Sequence, residues 1–243
     1  MMLRQNPQQM REGLCFLRGI CGKALLVSLC AAISGCIPTA TGSTPSGPVL
    51  IQTTPNTEAS FYPYQTGLKW SYILVGENAN QPKFERTSQG LTQFNGQPVY
   101  AIHQLGRGTD MTWFRSFSDS GVFLHGFNKP GVRILIDPPM QEYPSVPSWT
   151  SGYRWQGTFN LTVAFDNLKD PIRSGGNYTY MVLEQRTVTI AGAQYRAWVV
   201  NRQITGEAKG LFPDSQDILF VPYLGEIKTA DNLVLIDTNF KAP

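Results

Sequence analysis

Cysteine is scarce and confined to one end. The four cysteines, Cys15, Cys21, Cys30 and Cys36, all precede residue 37 of 243, so the rest of the chain has no thiol for a disulfide, a thiolate zinc site or a cysteine nucleophile. Histidine is nearly absent as well. His103 and His125 are the only two, without the H-x-H or H-x-x-x-H spacing of a metal site, and no metal or other cofactor is expected. No G-x-S-x-G elbow is present to carry a serine nucleophile. Gly106-Arg107-Gly108 and Gly175-Gly176 stand outside any strand-to-helix context and read as turns rather than phosphate loops. An excess of one charge is also missing. The chain has 20 Lys and Arg against 17 Asp and Glu, but four of the bases and one of the acids precede Cys36, which leaves 16 of each beyond it. A neutral domain without a basic cluster offers no footprint for nucleic acid, which is excluded as a partner.

Long apolar runs are lacking too. The longest, Ala24 to Ile33, is about half of the roughly 20 residues a spanning helix needs. It follows Arg4, Arg11, Arg18 and Lys23, with only Glu12 opposing them, and ends in Ile33-Ser34-Gly35-Cys36. A basic region, a short apolar region and small residues before a cleavage point make a signal peptide. Ile33-Ser34-Gly35-Cys36 resembles the lipobox at which bacterial lipoprotein precursors are acylated and cut. That resemblance implies residues 1–35 as signal, with either Met1 or Met10 as the start, and Cys36 as a lipidated mature N-terminus. Two or more acyl chains, at roughly 0.8 kcal/mol per buried methylene, hold a protein durably on a bilayer. Residues 36–56 are rich in Pro, Thr, Ser and Gly and read as a flexible tether. Ile37, rather than Asp, follows the cysteine, and by the best-known sorting rule this favours the outer membrane over the inner in a host that has one.

From about residue 57 the texture changes to short runs of Val, Ile, Thr, Tyr, Phe and Trp broken by Gly, Pro, Asn and Asp. Strands are expected at 68–75, 98–105, 111–117, 122–127, 132–136, 159–165, 178–190, 194–203, 217–221 and 233–237. No long window has a helical apolar period. Asn95-Gly96 is the strongest hairpin signal, because a type I′ turn needs positive φ at both central positions. Ala191-Gly192 makes a similar corner.

Gly67-Leu68-Lys69-Trp70 parallels Gly152-Tyr153-Arg154-Trp155, and the Asn95 and Ala191 corners occupy corresponding places. The expected fold is therefore all-β and largely antiparallel, with curved sheets in two tandem related modules. The first spans 57–136, a Pro-rich connector spans 137–148, and the second spans 149–243. With four prolines between Pro138 and Pro147, the connector is not expected to form a central strand. The run from Phe61 to Tyr72 is similar to the "Y/F-P-L-x-x-G-x-x-W-x-Y" opening of a domain of unknown function in bacterial envelope lipoproteins. The resemblance implies structure and supplies no catalytic residues.

Scattered carboxylates such as Glu85, Asp137, Glu142, Asp166, Glu184 and Asp217 read as solvated strand faces and turns, and an enzyme is not expected. Aromatics are abundant, with 5 Trp, 10 Tyr and 13 Phe. Most belong in a core. A ligand groove, if the sheet forms one, is expected to use Trp70, Trp113, Trp155 and Trp198. The expected function is non-catalytic: an envelope component attached to the membrane through Cys36 that binds another envelope protein or a cell-wall polymer. The alternative is a carrier or chaperone holding an apolar ligand in an aromatic-lined groove.

Overall fold

A computed structural model describes residues 61–145, 149–212 and 215–242; the lipobox-like segment, Cys36 and the expected tether lie outside them. Twelve strands run in sequence order: β1 (Lys69–Leu74), β2 (Phe84–Phe94), β3 (Gln97–Gly106), β4 (Thr109–Ser118), β5 (Gly121–Lys129), β6 (Val132–Pro144), β7 (Arg154–Phe165), β8 (Ile172–Ile190), β9 (Ala193–Gly206), β10 (Ser215–Val221), β11 (Gly225–Lys228) and β12 (Leu233–Thr238). Each pairs antiparallel with the next, and β12 returns to β1, so the sheet closes into a barrel. The all-β antiparallel expectation holds. The two open tandem sheets do not: β6 pairs with β7 from Val132↔Phe165 to Asp137↔Asn160, which joins the halves, and closure through β1 and β12 removes the last exposed edges.

The halves nonetheless repeat their local geometry. Gly67 N–H donates to Ser88 O at 2.8 Å and Ser88 N–H to Leu68 O at 2.9 Å; Gly152 N–H donates to Val182 O at 2.8 Å and Val182 N–H to Tyr153 O at 2.9 Å. A register shift follows each acceptor strand's crossing, at Ser88/Gly90 in β2 and at Val182/Glu184 in β8. The hairpin corners match as well, with positive φ at Asn95 and Gly96 and at Ala191 and Gly192.

Two strands escaped the sequence pattern. β2 points Phe84, Arg86 and Ser88 inward, so its buried face is mostly polar and shows no apolar alternation. β11 has only four residues. A third expectation is corrected at the Pro-rich stretch, which forms most of β6. The pairing to β5 jumps from Leu135 to Met140 and that to β7 ends at Asp137. Pro138 and Pro139 thus fall in a bulge where no ladder N–H is demanded.

An antiparallel meander places its connections alternately at two ends. The β1–β2, β3–β4, β5–β6, β7–β8, β9–β10 and β11–β12 loops define one end, called here the loop end; the chain enters β1 and leaves β12 at the other. That other end is plugged. Phe61, Tyr62 and Trp149 are buried there, with Tyr62 stacked near Tyr143 and Phe220 at centroid distances of 6.0 and 6.1 Å and Phe61 edge-on to Phe220 at 5.7 Å. An eight-stranded barrel is filled by strand side chains alone, whereas twelve strands enclose more space. Here the aromatic plug, the apolar cluster running from Ile102 to Phe220 and a set of buried charged side chains fill it.

Candidate functional site

Arg86 and Arg115 carry the charge in the interior. Each is 3 % exposed, and both sit near the Trp113 ring, with guanidinium carbons 4.6 and 5.8 Å from its centroid. Arg86 Nη1 donates to Glu226 Oε2 at 2.8 Å and its Nε to Gln104 Oε1 at 2.8 Å. Arg115 holds Glu142 through Nε at 2.5 Å and Nη2 at 3.1 Å, and lies 3.9 Å from Glu226 Oε1. Tyr143 donates its hydroxyl to Glu226 Oε1 at 2.8 Å, and Tyr72 donates to Glu226 O at 2.9 Å. Buried charges persist only when paired and hydrogen-bonded in this manner. Burial alone pushes the Glu226 carboxyl up, but Arg86 and Arg115 overcome it and hold the group below the usual carboxylate range. Burial pushes the Tyr62 hydroxyl up to about 12 and raises Tyr72, Tyr143 and Tyr180 as well.

Above this network, toward the loop end, opens a cavity of about 420 Å³. Leu74, Phe84, Met111 and Leu233 give it apolar walls, Thr109, Asp110, Lys129 and Asp231 give polar lining, and Gln104 connects it to Arg86. A pocket of several hundred Å³, mostly apolar with a few placed polar groups, is the usual form of a small-ligand site. Asp110 also accepts from His103 Nε2 across 2.8 Å when the ring carries its proton on that nitrogen. His125 pairs with Ser116 at 2.8 Å instead, and its partial burial lowers its pKa. Among the described residues no cluster of three or more His, Cys, Asp or Glu side chains could hold a metal.

The four tryptophans of the expected groove pack inside the protein and do not line this cavity. Trp70 is buried and donates to Leu224 O at 2.8 Å. Trp113 is buried beside the two arginines. Trp155 stacks on Tyr180 at 5.0 Å and donates to Gln141 O at 3.1 Å. Trp198, partly buried, meets Trp149 edge-on at 6.1 Å, and Trp149 in turn stacks on Trp155 at 5.7 Å. So Trp155 and Trp198 come together through Trp149, while Trp70 belongs to a separate cluster with Phe240. Glu142, read from the sequence as a solvated carboxylate, is in fact interior: the pairing of β6 to β5 steps from Tyr143 to Gln141, and at this bulge the consecutive residues Glu142 and Tyr143 are both buried, with Glu142 bound to Arg115. Glu85 and Glu184 are exposed as expected, paired with Lys69 and Arg186.

Sequence reading missed Arg86, Gln104, Arg115 and Glu226. The one usable signal was a base within an aromatic strand, Trp113-Phe114-Arg115, where alternation places Arg115 on the same face as Trp113. Comparison of the chain with family models, with curated proteins and with solved structures found no significant match.

Proposed function

We propose that this protein is a non-catalytic docking component of a bacterial cell envelope, tethered by lipid on Cys36, that engages a second envelope protein through the loop end of its barrel. One observation carries the docking part. Of the seven exposed large apolar side chains among the described residues, five, Val75, Leu105, Leu168, Ile172 and Leu211, belong to the loop end, and two, Leu91 and Tyr223, lie toward the other, whereas isolated apolar residues on a surface are ordinarily scattered evenly. The first described residues enter the barrel at the plugged end, opposite these side chains. Charge favours a protein over an anionic polymer or lipid headgroup, because the loop end neutralises itself: Arg107 grips Glu77 at 2.5 and 3.0 Å and His103 meets Asp110. The outward strand faces carry ion pairs such as Lys69–Glu85 and Glu184–Arg186, unlike the apolar band of a membrane-spanning barrel.

A photo-crosslinking amino acid placed at Leu168 or Leu211 in the full-length protein, expressed in its own membranes, tests the reading. The expected result is a defined protein adduct that disappears when Leu105 and Ile172 are both changed to Asn. Adducts with lipid only, or none, would overturn the docking assignment. Intact-mass measurement of the same preparation tests the tether: a mature chain starting anywhere but an acylated Cys36 removes it.

A further inference from the structure

The barrel roofs one half of its loop end and leaves the other half open. The β9–β10 connection contains a short 3-10 turn, Glu207–Leu211, whose Ala208 is buried; Phe212 after it lies edge-on to Phe159 at 6.2 Å. The Arg202 guanidinium sits 5.6 Å from the Phe212 ring, and Arg202 donates to Gln216, its cross-strand register partner. An aromatic ring from the connection thus covers an inward Arg–Gln pair. The first half has a comparable pair, Arg86 and Gln104, also register partners across two strands. Its β3–β4 connection, however, is only Arg107-Gly108, too short to supply a ring. The 420 Å³ cavity lies there.

We infer that this cavity binds a small aromatic molecule bearing a hydrogen-bond acceptor, which occupies the place that Phe212 fills in the other half. Leu74, Phe84, Met111 and Leu233 supply contact for a ring. Gln104 supplies the polar anchor. The residue is 3 % exposed, and the orientation of its amide is determined: the atom facing Arg86 Nε must be the carbonyl oxygen, since a guanidinium only donates. The amide nitrogen is left as a fixed donor that is not among the fully buried unpartnered atoms; it stays accessible from the cavity that Gln104 lines, and a donor held there favours a ligand that brings an acceptor. Asp110, Asp231 and Lys129 keep the mouth wetted and set the size of what enters. This inference does not depend on the docking partner.

Acetophenone, which has a ring and a carbonyl acceptor but no donor, is the probe, and ethylbenzene is its partner without the acceptor. Binding to the purified full-length chain is followed by the methyl NMR signals of Leu74, Met111 and Leu233. Acetophenone should shift those signals saturably by about 10 mM, the range of fragment-sized ligands, and ethylbenzene should shift the same signals progressively up to its solubility limit. Gln104→Glu keeps the acceptor for Arg86 and removes the amide donor, and should weaken acetophenone roughly 5–10-fold while leaving ethylbenzene nearly unchanged. Thr109→Trp and, separately, Pro130→Trp fill the mouth and should abolish both. The inference is overturned by an absence of saturable shifts, by shifts that survive both mouth-filling variants, or by a Gln104→Glu variant that retains its fold and loses both probes equally.

Discussion

Two guanidinium groups converge on Glu226, which is 6 % exposed. Removing that carboxylate leaves Arg86 without its ionic partner in a medium where an uncompensated charge costs several kcal/mol. Glu226→Ala is expected to lower stability by about 3–5 kcal/mol, read from the urea midpoint. Replacing Arg86 and Glu226 together by Met and Leu should recover most of that loss, because the pair's mutual attraction largely offsets its own desolvation. A double variant no more stable than the single one would show that the charges are needed for packing geometry. Arg115 is less vulnerable here, since Glu142 grips it twice.

Elements carry their own strain, and the hairpin corners display it. Asn95 adopts φ 50° and Ala191 φ 47° at matching corners. Asparagine tolerates the left-handed region, while alanine there costs roughly 1 kcal/mol through its Cβ. Ala191→Asn or Ala191→Gly should therefore raise the melting temperature, and Asn95→Ala should lower it, each by an amount corresponding to about 0.5–1 kcal/mol. Equal melting temperatures for Ala191→Gly and the parent would contradict this. At Gly126 the requirement is different. Its φ is 151°, and a Cβ there would come within 2.9 Å of two ring carbons of Phe94; that ring stacks on Phe114 at 4.1 Å and lies under the Arg133 guanidinium at 4.8 Å. The bulge in β5 thus accommodates an aromatic stack on the outer face of the barrel.

Across the whole molecule the buried tyrosines couple folding to pH. Tyr62, Tyr72, Tyr143 and Tyr180 all have pKa values raised chiefly by burial. For a group whose folded pKa is raised, the associated stability is complete below the unfolded value, about 10 for tyrosine, and is lost as pH rises past it. The barrel should therefore unfold in alkali, with the 295 nm tyrosinate absorbance of these four groups appearing together with loss of the strand circular dichroism. Glu226 acts in the opposite sense. Its depressed pKa contributes stability above about pH 4.3 that fades as pH falls toward the folded value. Absorbance from all ten tyrosines near pH 10, with the fold intact, would contradict the burial.

By itself the sequence determined the all-β class, ten of the twelve strands, the Asn-Gly and Ala-Gly corners and the local repeat. Each of these depends on residues close together in the chain: turn propensity, apolar alternation and glycine at positive φ. It also carries the lipobox resemblance, which concerns a short contiguous segment. The closure of β1 on β12, the burial of Arg86, Arg115, Glu142 and Glu226, and the position of the open cavity were decided only by the tertiary structure. Burying a charge is tolerable only when a partner meets it, and the partner of Arg86 lies 140 residues away along the chain. No local pattern records that meeting. The same is true of the tryptophans, whose abundance was visible from the start and whose role in filling a wide barrel follows from closure.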